Sequence, residues 1–186
     1  MDLKIAIIVG SIRPNRVGLK VAEWFMSQIP KQNRASFDLI DLAEEDLPFL
    51  NEPNLPAMGN YQQQSTKKWA EKISKYHGFI LVTPEYNHGY SPVLKNAIDT
   101  LYEEWQKKPV AFVGYGSLGA SRSIEQLVQV TAQLNMVPNP SSAINVIDLW
   151  DAFDDGGNLK PEKVRGNPDK LITNLLWWAD VLKTAK

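Results

Sequence analysis

Residues 4–9, Lys-Ile-Ala-Ile-Ile-Val, form a nearly continuous apolar run rich in β-branched side chains. The run is too short for a globular helix and reads as a strand buried on both faces. Apolar residues then recur at Val21, Ala22, Phe25, Met26 and Ile29, the stripe of a helix over residues 17–29. Residues 36–42 read as a second, shorter strand. Between 43 and 64, Pro48, Pro53, Pro56 and Gly59 exclude a long regular element. A loop of that length inside a compact domain is usually either functional or poorly ordered. Ser65 is placed to cap a helix reaching about Tyr76, with Trp69, Ile73 and Tyr76 on one face.

Residues 78–83 are a third strand, apolar on both faces, which leads into Pro84-Glu85-Tyr86-Asn87-His88-Gly89-Tyr90. Ser91 then caps a helix with Pro92 at its first position and a stripe of Val93, Leu94, Ala97, Ile98, Leu101 and Trp105. Residues 109–113 make a fourth strand, followed by a glycine-rich turn and a helix to about Leu134. A fifth strand falls within 136–137 and 143–147, its start blurred by Pro138 and Pro140. Asn167 caps the last helix, with Pro168 first and Leu171, Leu175, Trp178 and Leu182 inward. The adjacent Trp177 and Trp178 read as core or interface.

Five strands alternating with helices predict an α/β fold, three layers deep, with a parallel sheet covered on both faces. Right-handed crossovers leave few topologies, the flavodoxin-like order 2-1-3-4-5 among them. In such sheets ligands bind beyond the carboxyl ends of the strands, at the switch point between strands 1 and 3. The loops after strands 1, 3 and 4 therefore converge on one site.

Composition narrows the function. A length of 186 residues suits one domain, 1–186. A net charge of −1 with mixed signs offers no footprint for nucleic acid or an anionic membrane. The absence of cysteine excludes disulfides, thiolate nucleophiles and zinc–thiolate sites, and suits a reducing compartment. The N-terminus enters a strand directly, without a signal-like segment, and no apolar run approaches a membrane span. A soluble, cytoplasmic protein is the expectation.

Each converging loop has its own chemistry. The first, Gly10 to Gly18, carries Ser11, Arg13, Asn15 and Arg16 between a strand and a helix start. Free N–H groups and the positive helix end point into such a turn, and guanidiniums suit a dianionic phosphate. It matches neither G-x-x-x-x-G-K-[ST] nor G-x-G-x-x-G, so the phosphate does not belong to a P-loop or dinucleotide pattern. The second loop, anchored by Pro84 and turned by Gly89, exposes backbone for the edge of a heterocycle, with Tyr86 to flank its ring. The third holds Gly114, Gly116 and Gly119 with Ser117 and Ser121, permitting close approach of backbone to a ligand. Together they describe a mononucleotide pocket. Of the two histidines, His88 sits where it could protonate a reduced quinone, although a turn histidine is more often a backbone partner or a solvent-exposed group. His77 falls at the other end of the sheet, so no two-histidine metal site is expected.

Three segments carry a family likeness: Gly10-Ser11-x-Arg13, Thr83-Pro84-Glu85-Tyr86-Asn87 and Gly116-Ser117-x-Gly119-x-x-Arg122. With them the chain resembles the NADPH-dependent FMN reductase family, which includes quinone, azo-dye and chromate reductases. The likeness runs from the first strand to the helix after Arg122, and the part after Ala143 matches no motif. It implies a flavodoxin-like fold, bound FMN, NADPH or NADH as electron donor, and a homodimer or dimer of dimers. It also implies ping-pong hydride transfer through FMN to a small acceptor: a quinone, an azo compound, a metal oxyanion or free flavin. By similarity Ser11, Arg13, Arg16, Val17 and Gly18 hold the FMN phosphate. Pro84, Glu85, Tyr86 and Asn87 line the isoalloxazine, with Gly116 and Ser117 on its other side. Asn15, His88, Gly89 and Gly119 complete the cofactor-binding candidates, and no catalytic side chain is assigned. The rival is a flavodoxin-type electron carrier without NAD(P)H reactivity; balanced charge and an arginine-bearing phosphate loop favour the enzyme. A phospho-receiver domain is set aside, since Gly10-Ser11 and Thr83-Pro84 stand where it needs carboxylates.

Overall fold

Alternate residues of the central strands point to opposite sides, and that alternation divides the core in two. The computed structural model describes residues 3–30 and 34–185. Strands β1 (Leu3–Val9), β2 (Ala35–Asp41), β3 (Gly78–Pro84) and β4 (Pro109–Tyr115) run parallel. Ile5, Ile7, Val9, Ile80, Val82 and Val113 pack against helices α1 (Gly18–Ser27) and α5 (Pro168–Thr184). Ala6, Ile8, Phe79, Leu81, Val110 and Phe112 pack instead against α2 (Gln64–Ser74), α3 (Pro92–Asp99) and α4 (Ser121–Gln133). A strand buried on both faces needs apolar residues at every position, as the uninterrupted runs in β1 and β3 provide.

The sheet order is β2-β1-β3-β4, then β6 (Ile144–Val146) and β7 (Val164–Arg165), with β5 (Val137–Pro138) also on β4. The flavodoxin-like order is therefore present, but its fifth place is shared. Strand β5 (Val137–Pro138) pairs with the start of β4 and β6 (Ile144–Val146) with its end, both parallel. Pro138 has no N–H to donate and Pro140 opens a 3₁₀ turn, Pro140–Ser142, so one unbroken strand cannot form. A short antiparallel β7 (Val164–Arg165) closes the edge beyond β6.

Local signals held unevenly. Helix α1 starts at Gly18, with Val17 as its N-cap. Ser65 does not cap α2: the N-cap is Gln63, and the Glu52 carboxylate accepts the N–H groups of Gln62 and Gln63 at 2.7 and 2.9 Å. Helix α3 ends at Asp99, yet Leu101 and Trp105 stay buried through a 3₁₀ turn, Glu103–Trp105. On α5, Leu171 and Leu175 are buried, Trp178 is half-buried and Trp177 is exposed.

The two side-chain caps expected at Ser91 and Asn167 are both made, accepting from Leu94 N–H at 3.3 Å and Lys170 N–H at 3.1 Å. Ser91 is buried and also donates to the Gly10 carbonyl, whereas the Asn167 bond is exposed. In urea unfolding, Ser91→Ala is expected to cost about 2–3 kcal/mol and Asn167→Ala about 1 kcal/mol. Equal losses would deny the Gly10 contact its role.

Candidate functional site

The loops after β1, β3 and β4 meet at the carboxyl edge of the sheet, joined mainly by side chains. In the first, Gly10 N–H donates to the Val82 carbonyl at 2.8 Å and Arg16 N–H closes on the Arg13 carbonyl at 3.2 Å. Asn15, at φ +56°, turns the chain between them. The N–H groups of Ser11, Ile12, Arg13, Asn15, Val17 and Gly18 carry no hydrogen bond among the described residues. Unpaired amides gathered at a helix start form an anion site.

The two arginines of this loop face different partners. Arg13 Nε donates to the Tyr86 hydroxyl at 3.1 Å, and its guanidinium lies 5.6 Å from the Tyr86 ring centroid. Arg16 is ion-paired with Asp41, buried at the end of β2, whose other oxygen accepts Ala43 N–H at 3.0 Å. Arg16 Nε remains buried and, among the described residues, without a partner. Arg13 thus keeps its charge available, while the charge of Arg16 is answered by a carboxylate.

Beneath the loop lies Tyr115, which the sequence reading did not single out because the apolar run ends at Val113. It is the last residue of β4 and is 4% exposed. A Cβ on Gly18 would come within 2.5 Å of its hydroxyl, so the approach requires glycine there. Among the described residues that hydroxyl is buried without a hydrogen-bond partner of normal geometry, Ser11 being its nearest polar neighbour. Burial pushes the phenol well above its usual range, with Ser11 and the nearby Arg13 and Arg16 offsetting only part, so it stays a neutral donor.

The second loop is a two-residue hairpin. Tyr86 and Gly89 exchange backbone bonds of 2.8 and 3.1 Å, and Asn87 and His88 between them have φ of +49° and +75°, as in a type I′ turn. The Tyr86 hydroxyl reaches Ser11 Oγ at 2.7 Å, which joins the second loop to the first. Glu85 is ion-paired with Arg122 and also accepts its backbone N–H at 3.2 Å. Ser123 donates to the Pro84 carbonyl at 2.8 Å, and Gln126 to the His88 carbonyl at 2.9 Å. Helix α4 therefore fixes the hairpin from below. The His88 side chain is exposed, and His77 lies at the opposite edge, bonded to Lys4 in β1.

In the third loop Gly119, at φ +65°, closes on the Gly116 carbonyl at 3.2 Å, and Gly116 N–H donates to Val146 at 3.1 Å. A side chain at Gly119 would strike Asn145, whose amide donates to the Gly119 carbonyl at 2.7 Å. The N–H groups of Ser117 and Leu118 stay unpaired among the described residues. Beside Arg13 and Tyr86 opens a cavity of about 260 Å³, walled by Ile12, Leu47, Phe49, Pro92 and Val93. Leu47 and Phe49 come from the long proline-rich loop, whose place the sequence left undefined.

A family model described as NADPH-dependent FMN reductase matches residues 3–150. An NAD(P)H-dependent FMN reductase of Schizosaccharomyces pombe is 39% identical over 140 residues, 74% of this chain and 70% of the relative. A 2-hydroxy-1,4-benzoquinone reductase of a Burkholderia species is 29% identical over 175 residues, 89% of this chain and 90% of the relative. Among solved structures, FerB, a flavoenzyme NAD(P)H:(acceptor) oxidoreductase from Paracoccus denitrificans, superposes with a TM-score of 0.72 at 22% identity. That alignment covers 98% of each chain and carries the fold. The match over residues 3–150 takes in all three loops, and with it this chain belongs to the NADPH-dependent FMN reductase family.

Proposed function

We propose that this FMN-dependent NAD(P)H oxidoreductase holds the FMN phosphate in the loop between β1 and α1, and the flavin ring between the loops after β3 and β4. The observation that carries the assignment is a cluster of unanswered donors at one helix start. Among the described residues, six backbone amides there, some of them open to solvent, find no acceptor, and neither do two buried side-chain donors, Arg16 Nε and the Tyr115 hydroxyl. Buried donors left unpaired are costly, and the oxygens of a dianion answer them. Ser11 and Arg13 add a hydroxyl and a free cation, while Asn15, Val17 and Gly18 contribute backbone. Pro84, Glu85, Tyr86, Asn87, His88 and Gly89 present an edge of backbone groups and one aromatic ring. Gly116, Ser117 and Gly119 form the facing wall.

The redox chemistry comes with FMN when bound: a hydride from NAD(P)H in, two electrons to a small acceptor out, in ping-pong order. The chain itself orients, stacks and excludes water. No acid–base side chain is assigned; His88 is exposed on its turn and held through its carbonyl. A quinone acceptor follows the benzoquinone-reductase relative. A single domain, a cytoplasmic site suited to a chain without cysteine, and a homodimer or dimer of dimers complete the proposal. No helix among the described residues is long and apolar enough to cross a membrane.

An anaerobic absorbance spectrum of protein mixed with FMN is expected to show a perturbed flavin band that bleaches when NADPH is added. A perturbed band that NADPH leaves unchanged would favour an electron carrier. The arginines separate by phenotype. Arg13→Ala is expected to weaken FMN binding, followed by fluorescence quenching, by about 1.5–3 kcal/mol with little change in melting temperature. Arg16→Ala strands the Asp41 carboxylate and should also destabilise the fold by on the order of 3 kcal/mol. Tyr115→Phe is expected to act with opposite signs. It removes an unpaired buried hydroxyl and so raises the stability of the FMN-free protein by about 1 kcal/mol, yet weakens FMN binding by a similar amount. An unchanged FMN affinity would remove Tyr115 from the phosphate site.

A further inference from the structure

Asn96 lies in the middle of α3 and is 9% exposed. Both ends of its amide serve one short stretch of the proline-rich loop. Its Oδ1 accepts Leu50 N–H at 2.9 Å, and its Nδ2 donates to the Pro48 carbonyl at 2.9 Å. These bonds bracket Phe49, which is 79% exposed. Farther along the same loop, Glu52 is tied to the start of α2. An aromatic ring is thus held out in water on a clamped backbone, an arrangement that packing does not require and that suits a preorganised binding surface.

The ring of Phe49 overlooks the cavity of about 260 Å³, with Ile12, Leu47, Pro92 and Val93 as its other apolar walls. Arg13 is the one charged residue in that lining, and the functional reading above gives its guanidinium to the FMN phosphate, which leaves the apolar walls to a second molecule. The volume falls below the usual range for drug-sized ligands. It has room for a molecule of one or two rings and not for a dinucleotide.

We propose that this cavity seats the ring of an uncharged, apolar acceptor of the quinone class, and that Phe49, positioned by Asn96, selects for it. The assignment rests on the functional reading above. In the overall reaction NAD(P)H loses a hydride, and the quinone gains that hydride equivalent and one proton from water, leaving as the quinol. Phe49 contributes ring contact and Asn96 acts only through the loop it clamps.

The test compares wild type, Phe49→Ala, Asn96→Ala and, as a control on the same loop outside the cavity, Leu55→Ala, all loaded with FMN. For 1,4-naphthoquinone, Phe49→Ala and Asn96→Ala are expected to raise KM about tenfold with kcat nearly unchanged. KM for hexacyanoferrate(III), a hydrophilic anion with no ring, should move less than about twofold in every variant. Calorimetric titration of the donor-free, FMN-loaded protein should show the same loss of naphthoquinone affinity in Phe49→Ala and none in Leu55→Ala. Unchanged naphthoquinone binding in Phe49→Ala would overturn the proposal. A parallel fall in FMN affinity would overturn it too, by giving the cavity to the cofactor. A wild-type protein that takes up no FMN would defeat the functional reading itself, and the cavity assignment with it.

Discussion

Gly10 is held from both sides. Its N–H donates to the Val82 carbonyl at 2.8 Å, and its carbonyl accepts the hydroxyl of Ser91, which also caps α3. A Cβ there would stand 2.9 Å from the Val82 oxygen and 3.0 Å from Leu94 Cδ2, so the closure depends on glycine. The end of β1, the end of β3 and the start of α3 become one unit as a result. Ser11 and Arg13 leave this unit toward Tyr86, while Pro92, Val93 and Asn96 leave it toward the cavity and its loop. Both halves of the proposed site inherit their geometry from that buried junction.

Charge is distributed at this edge with a clear division. Arg16 pairs with Asp41 and ties the end of β2 to the first loop; Arg122 pairs with Glu85 and ties the hairpin to α4. Each pair joins a half-exposed or largely buried guanidinium to a carboxylate under 10% exposed, a setting in which removing one partner is costly. Arg13 rests on a phenol ring and its hydroxyl instead. A neutral phenol is a weaker partner than a carboxylate, so an incoming anion can take over that guanidinium. Two arginines hold loops in place and the third remains available.

The third loop is supported from the carboxyl-terminal part of the chain. Asp148 N–H donates to the Ser117 carbonyl at 3.2 Å. Lys163 is ion-paired with both Asp148 and Asp151, at 2.6 and 2.8 Å, and Lys160 with Asp151 at 2.6 Å. Exposed pairs of this kind are individually weak, but here they share members and define one turn beside the loop. Lys20 in α1 lies over the Phe153 ring, 6.0 Å from its centroid, which brings this segment against the helix that opens at the phosphate loop.

What the sequence determined alone were features that depend on near neighbours. The apolar runs of β1, β3 and β4 read as doubly buried strands, Ser91-Pro92 and Asn167-Pro168 as helix starts, and the three odd loops as convergent, because periodicity and turn chemistry act over a few residues. The tertiary structure decided the pairings between distant positions. It assigned Arg16 to Asp41, 25 residues away, and Ser11 to Tyr86, 75 away. It left Ser65 without a capping role and tied the residues before α2 to Glu52, divided the fifth strand around its prolines, placed the Tyr115 hydroxyl under Gly18, and set Phe49 above the cavity through Asn96, 46 residues from Leu50. A donor or a charge in the sequence states only what it can bond. Which acceptor it meets is settled when strands and crossovers bring remote segments to the same edge of the sheet.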